Sequence, residues 1–164
     1  MYFDIIDSPV GKLLLAADEI GLCEISFLTE EKQATIPQEW IHKPVISSNK
    51  VSTLSETAKQ LRAYFAGELK QFDLPLHVKG TDFQLRVWNG LCDIPYAETI
   101  SYGELAANIG NKKACRAVGG ANNRNPITIV QPCHRVIGGD GKLVGYGGGL
   151  SKKTFLLELE AKYK

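Results

Sequence analysis

Nowhere does the chain hold an apolar run of the roughly 20 residues that a membrane-spanning helix takes. Its first residues, Met1-Tyr2-Phe3-Asp4, lack the basic start of a secretory signal, so no targeting segment is expected. Cysteine is scarce. Cys23, Cys92, Cys115 and Cys133 are scattered, with no C-x-x-C pair, which excludes a disulfide framework and points to free thiols in a reducing, cytoplasmic setting. Low-complexity tracts and internal repeats are also missing, so the 164 residues fit one domain or two small ones with a real core.

Net charge is nearly absent too, at +1, but that balance hides an asymmetry. Residues 1–76 carry seven Lys/Arg against eleven Asp/Glu, whereas residues 77–164 carry twelve against seven. Between Lys112 and Lys153 stand eight basic residues and a single acid, Asp140. Local positive charge of this kind is the footprint expected for a polyanion.

The first third reads as a small antiparallel sheet, with strands over Tyr2–Ile6, Lys12–Ala17 and Leu22–Phe27 separated by turn signals. Glu30 to Asn49 has no clear period and is expected to be mostly loop with a short helix. Thr53-Leu54-Ser55-Glu56 has a capping-box pattern, and Leu54, Ala58, Leu61 and Phe65 continue at helical spacing to a stop at Gly67. From Thr81 the chain becomes helical. Thr81 with Gln84 and Ser101 with Glu104 form two further caps, and another helix is expected from about Lys112 to Asn122. Two short helices joined through a Gly-Asn turn have helix-turn-helix spacing, with Lys112, Lys113 and Arg116 near the start of the second. The fold class expected is α/β: an N-terminal domain, 1–76, of small sheet and helix, then a mostly helical domain, 77–164. A last amphipathic helix from Ser151 is expected to bury Phe155, Leu156 and Leu159.

The most informative stretch is Pro132-Cys133-His134-Arg135-Val136, which sets a thiol beside an imidazole after the apolar run Ile127-Thr128-Ile129-Val130. A thiol reacts as its thiolate, and a neighbouring imidazole or positive charge lowers its pKa. A Cys-His pair alone is compatible with a buried structural cysteine. Its context is more specific: Ile100-Ser101-Tyr102-Gly103-Glu104-Leu105-Ala106, Arg116-Ala117-Val118-Gly119-Gly120-Ala121 and Asn125-Pro126 precede it. Val144-Gly145-Tyr146-Gly147-Gly148-Gly149-Leu150 and Leu156-Leu157-Glu158-Leu159-Glu160 follow it.

In this order and spacing, Phe83 to Glu160 closely resembles the 6-O-alkylguanine-DNA alkyltransferases, also called methylated-DNA–protein-cysteine methyltransferases. The N-terminal half matches less fully, through Asp7-Ser8-Pro9-Val10-Gly11-Lys12-Leu13 and Gly21-Leu22-Cys23-Glu24-Ile25. The resemblance implies direct repair of 6-O-alkylguanine, less certainly 4-O-alkylthymine, by irreversible transfer of the alkyl group to Cys133. The family's cysteine–water–histidine–glutamate relay maps to Cys133, His134 and Glu160, and Asn125 matches the asparagine that braces the cysteine's turn. Arg116 matches the arginine that replaces the extruded base, and Tyr102 the tyrosine tied to phosphate rotation and guanine binding. Lys112, Lys113, Ala117 and Arg124 complete the expected DNA face. Tyr146 is expected to wall the base pocket and Lys153 to lie near its mouth, with backbone of Cys133, Val136 and Gly147 reading the guanine edge.

Three departures bear on substrate size: Gly147 stands where relatives can have serine, the Lys142–Gly145 loop appears one residue longer, and Asn122-Asn123-Arg124 is polar. No cofactor is implied. Some relatives bind structural zinc in the N-terminal half, but Cys23, His42 and His77 show no ligand spacing, so no metal is expected. The partner implied is double-stranded DNA containing alkylated guanine, met by a nucleoid-associated monomer with no membrane contact. Three rivals weigh against this: a damage-binding relative, which has another residue at the nucleophile position, a helix-turn-helix regulator, and a cysteine hydrolase, which turns over.

Overall fold

The computed structural model describes residues 1–45 and 51–164. The chain divides into two compact units, Met1–Val78 and Lys79–Lys164. The first runs two residues beyond the expected boundary because backbone pairing holds it: Leu22 N–H donates to Pro75 O at 2.7 Å and His77 N–H to Leu22 O at 2.8 Å.

In the first unit, β1 (Tyr2–Ile6), β2 (Leu13–Ala17) and β3 (Leu22–Phe27) form an antiparallel meander. A two-residue strand that the sequence did not signal, β4 (Ile41–His42), adds in parallel to β1, giving the order β3-β2-β1-β4. Central β2 reads Leu-Leu-Leu-Ala-Ala and is buried along its whole length, so the alternation of a one-sided strand is absent there. The β2–β3 turn is closed by Asp18, whose Oδ1 accepts from Ile20 and Gly21 N–H. Gly21 is required by close approach, since a Cβ there would sit 2.6 Å from Pro75 O. Helix α1 (Glu30–Ala34) is the short helix expected in the loop, of which residues 46–50 lie outside the described residues. Helix α2 (Thr53–Phe65) packs on the sheet and buries Leu54, Ala58, Leu61 and Tyr64. Its capping box is one residue earlier than expected. Ser52 Oγ accepts from Ser55 N–H and Ser55 Oγ from Ser52 N–H, a serine doing the work assigned to Glu56.

In the second unit, α3 (Asp82–Cys92) starts at the expected Thr81–Gln84 box, and α4 (Tyr102–Asn108) at Ser101, whose hydroxyl accepts from Glu104 N–H. Helix α5 (Cys115–Asn123) begins three residues later than expected; Lys112 and Lys113 lie in the turn before it, with Ala114 N–H bonded to Asn111 O. Helices α4 and α5 pack together, and the Trp88 indole of α3 donates to Ala121 O at 2.9 Å, locking α3 onto α5. Two short strands, β5 (Ile100–Ser101) and β6 (Val136–Ile137), pair in parallel and join the start of α4 to the end of the Cys133 segment. Residues 138–142 reverse the chain as their glycines signal, and α6 (Leu150–Lys162) closes the unit.

Helix α6 corrects an expectation. Its buried residues are Lys153, Leu156 and Glu160, while Phe155 is exposed. Leu156 is buried as expected, but the inner stripe carries two charges, so apolar spacing does not find the rest of it.

Candidate active site

Cys133 opens a single 3-10 turn, Cys133–Arg135, whose three residues are all buried. The approach is strained: Ile129, a β-branched residue, has φ +73, a conformation held only when surroundings over-determine it. Asn125 supplies that bracing. Its Nδ2 donates to Gln131 O at 2.7 Å, and its Oδ1 accepts from Ile127 N–H at 3.0 Å and Gln131 Nε2 at 2.7 Å.

Cys133 is 6% exposed. Burial pushes its pKa up from the ordinary value; the polar side chains of Asn125 and Thr128 and the Lys153 ammonium offset this only in part. This corrects the expectation of a thiol held near neutrality by its neighbour. The His134 ring holds Glu160 through Nε2, which leaves Nδ1 for other use.

His134 Nε2 meets Glu160 Oε2 at 2.6 Å, both side chains fully buried. Arg135, which the motif contains but which was given no role, grips the same carboxylate twice, Nε to Oε1 at 2.8 Å and Nη2 to Oε2 at 3.1 Å. Its Nη1 donates to Ile94 O at 2.7 Å, and Ala97 N–H, at φ +64, donates to Glu160 Oε1. Burial works to raise the Glu160 carboxyl, but the combined hydrogen bonds and charges of His134 and Arg135 win and lower it to about 2. Burial lowers His134, with Glu160 opposing. Glu160 is therefore ionised with Arg135 as its counter-charge, and His134 rests neutral. Its proton sits on Nε2, leaving Nδ1 a bare acceptor, and that buried Nδ1 has no hydrogen-bond partner. The arrangement can take up one proton beside a buried thiol.

The remaining expected residues fall into two groups. Tyr146 is half-buried, its hydroxyl 2.8 Å from Thr128 Oγ1, and burial followed by the nearby Cys133 raises its phenol well above the usual value. Lys153 is 0% exposed rather than at a mouth; Nζ donates to Val136 O at 2.6 Å, Val144 O at 3.2 Å and Gly145 O at 3.4 Å. Tyr102 Oη donates to the same Val144 O at 3.0 Å, so one carbonyl ties the loop containing Gly147 to both α4 and α6. Lys112, Lys113, Arg116, Ala117 and Arg124 are all exposed, and among the described residues none of these basic groups is in an ion pair. The positive stretch thins on folding, because Arg135 and Lys153 are buried inside it.

The segments matched by families follow this division. Residues 82–162 match the 6-O-methylguanine DNA methyltransferase DNA-binding domain, and residues 1–78 the ribonuclease-like domain of the same family. The chain belongs to the 6-O-methylguanine DNA methyltransferase family. It is 54% identical over 160 residues to a methylated-DNA–protein-cysteine methyltransferase of Methanosarcina acetivorans, covering 98% of each chain. The Mycobacterium tuberculosis protein of that name is 50% identical, with 98% of this chain and 92% of the relative covered. Among solved structures, Mycobacterium tuberculosis OGT in complex with DNA superposes at a TM-score of 0.88, with 48% identity over 99% of this chain and 94% of that one.

In the first unit, Asp18, Cys23 and His77 bring donor atoms within 4.8 Å of one another, the one such group among the described residues. His77 Nδ1 bonds Asp18, while His42 instead pairs with Asp4 at 2.9 Å. Spacing hid this cluster because His77 arrives from the connection, 59 residues after Asp18. It offers three donors, where structural zinc takes four. Among the described residues no helix is long and apolar enough to cross a membrane.

Proposed function

We propose that this chain repairs 6-O-alkylguanine in double-stranded DNA by moving the alkyl group to Cys133, one event per molecule. The observation that carries the reading is the buried Cys133 segment with its base built behind it: neutral His134, its Nδ1 free, backed by a Glu160 that Arg135 keeps ionised.

The thiol proton passes to His134 Nδ1, by the family's pattern through a water, and the imidazolium is stabilised by Glu160. Sulfur attacks the alkyl carbon in line, a carbon–sulfur bond forms, and the bond from carbon to guanine oxygen breaks. The electron pair goes to guanine, which regains a proton, and Tyr102 supplies a donor for the charge that appears there. A thiol that stays protonated until substrate arrives avoids stray alkylation and oxidation. The product is a thioether with no carbonyl for water to attack, so nothing here regenerates the thiol.

The target oxygen lies within the duplex, so the nucleotide must be rotated out. Arg116, on the exposed face of α5, enters the stack, while Lys112, Lys113, Ala117 and Arg124 meet the backbone. Tyr146 walls the pocket, and Lys153 acts from beneath, fixing the Val136 and Val144–Gly145 carbonyls beside Gly147. The protein acts as a monomer. A regulator reading gives no role to the Arg135–Glu160–His134 network, and a cysteine hydrolase, which could use it, turns over.

Intact-protein mass measurement after incubation with methylated duplex tests this. Wild-type protein gains one methyl group, and Cys133→Ser gains none while still binding duplex. Methyl transfer that persists in Cys133→Ser, at Cys23, Cys92 or Cys115, overturns the assignment.

A further inference from the structure

Thr128 is the one polar residue in the run Ile127-Thr128-Ile129-Val130, and it is buried, at 6% exposed. A buried hydroxyl has to find a partner. Its Oγ1 meets the Tyr146 hydroxyl at 2.8 Å, across 18 positions of chain. Valine has the same shape and needs no partner, so filling the space does not by itself call for threonine.

The two ends of this bond stand on very different backbone. Thr128 lies in a braced stretch: Asn125 Oδ1 accepts from Ile127 N–H at 3.0 Å, and Val130 N–H donates to Thr128 O at 2.9 Å. Gln131 N–H donates to Ile127 O at 3.0 Å and Cys133 N–H to Gln131 O at 2.8 Å. The bracing that sets the Cys133 turn therefore sets Thr128 as well. Tyr146 sits between Gly145, at φ +62, and the glycines at 147–149, the last at φ +95. Glycine takes such backbone without steric cost, and the freedom it brings leaves the direction of the ring open. Lys153 Nζ holds the Val144 and Gly145 carbonyls, but a carbonyl does not aim the side chain that follows it. The bond to Thr128 does, because it acts at the far end of the phenol.

We propose that Thr128 is a positioning residue for the transfer, registering the Tyr146 ring to the braced turn that carries Cys133. This rests on the alkyl-transfer reading above. Pocket wall and sulfur then keep one fixed relation. Attack in line needs the reacting atoms about 3–3.5 Å apart and aligned, so a wall that swings lets the alkyl carbon leave that line. Burial raises the Tyr146 phenol well above its usual value, so both ends of the bond stay hydroxyls at neutral pH.

The test is a double-mutant cycle on the bond itself. Single-turnover methylation of Cys133 at saturating O6-methylguanine duplex is followed for wild type, Thr128→Val, Tyr146→Phe and the double variant. Each single change slows transfer about fivefold, the effect of one hydrogen bond, and the double change slows it no further. Tyr146→Phe makes the same break from the loop side, and Thr128→Ser, which keeps the hydroxyl, restores most of the rate. Duplex affinity stays the same. Iodoacetamide, small enough to need no wall, alkylates Cys133 with the same rate and pH profile in all four proteins, which a loosened fold would not allow. Single-variant rates equal to wild type, losses that simply multiply, or an iodoacetamide profile that shifts in Thr128→Val overturn the assignment alone. A wild-type protein that leaves Cys133 unmethylated on the duplex refutes the transfer reading and this assignment with it.

Discussion

The centre of the sheet and the centre of the Cys133 unit are both buried, but they are built from opposite materials. Strand β2 contributes Leu13, Leu14, Leu15, Ala16 and Ala17, all at or near zero exposure, with Leu22 and Ile25 beside them. The Cys133 unit buries Leu105, Val118, Ile127 and Leu156 together with His134, Arg135, Lys153 and Glu160. Apolar burial of the first kind stabilises at about 25 cal/mol per Å² and needs no partner. Buried charge of the second kind is unfavourable unless each group is paired, and removing one member leaves the others stranded. The sheet is organised for stability and the second unit holds a reaction, at the cost of depending on a network.

Breaking the network should therefore hurt most. Arg135→Met leaves Glu160 buried with a neutral histidine and the Ala97 N–H but no counter-charge, and is expected to destabilise the second unit by about 3–5 kcal/mol. Denaturant unfolding followed through Trp88 measures it. A loss below about 1 kcal/mol would show that the Arg135–Glu160 pair contributes little.

Acid should expose the same contrast. Glu160 is lowered from 4.5 to about 2, so below 4.5 the unfolded chain binds that proton first. His134 is lowered from 6.5, so below 6.5 the unfolded chain again protonates first. Both contributions are fully present above pH 6.5 and are lost as pH falls toward 2, with Glu160 accounting for about 3 kcal/mol. Urea unfolding at a series of pH values checks the sign. Stability of the second unit that is flat across this window would contradict it.

Ile25→Val sharpens the comparison from the other side. It removes one methylene from the sheet and is expected to cost about 1 kcal/mol, by the same amount at pH 5 and pH 8. The smallest effect is a gain. Ala97 holds φ +64 so that its N–H reaches Glu160, and Ala97→Gly relieves that backbone while keeping the donor, adding roughly 0.5–1 kcal/mol. A loss in thermal unfolding would mean the Ala97 methyl packs usefully.

This contrast also explains what could be read from the sequence. The turns of the meander, the Thr81 and Ser101 caps and the Gly67 stop are local signals, each complete within a few residues, and the structure uses them in place. Cys133 and His134 were visible because the motif is contiguous. Arg135 stood in that motif with its role hidden, because its partner is 25 positions away. Lys153 and Glu160 look like surface charges on α6, and only the packed turn behind Cys133 turns their face inward. Strands β4, β5 and β6 have two residues each, too short for any period to show. Asn122 read as a polar departure from the pocket wall; its burial, with Oδ1 unmet, belongs to the folded chain alone.

The central claim is that the network exists to deliver one alkyl group to one sulfur. Methylated duplex titrated against a fixed amount of protein tests it, with repaired guanine counted and the modified peptide sequenced. The account predicts a sharp break at one equivalent, with the methyl on the peptide that contains Cys133. Repair that continues well past one equivalent, or a methyl located on another cysteine, would contradict it.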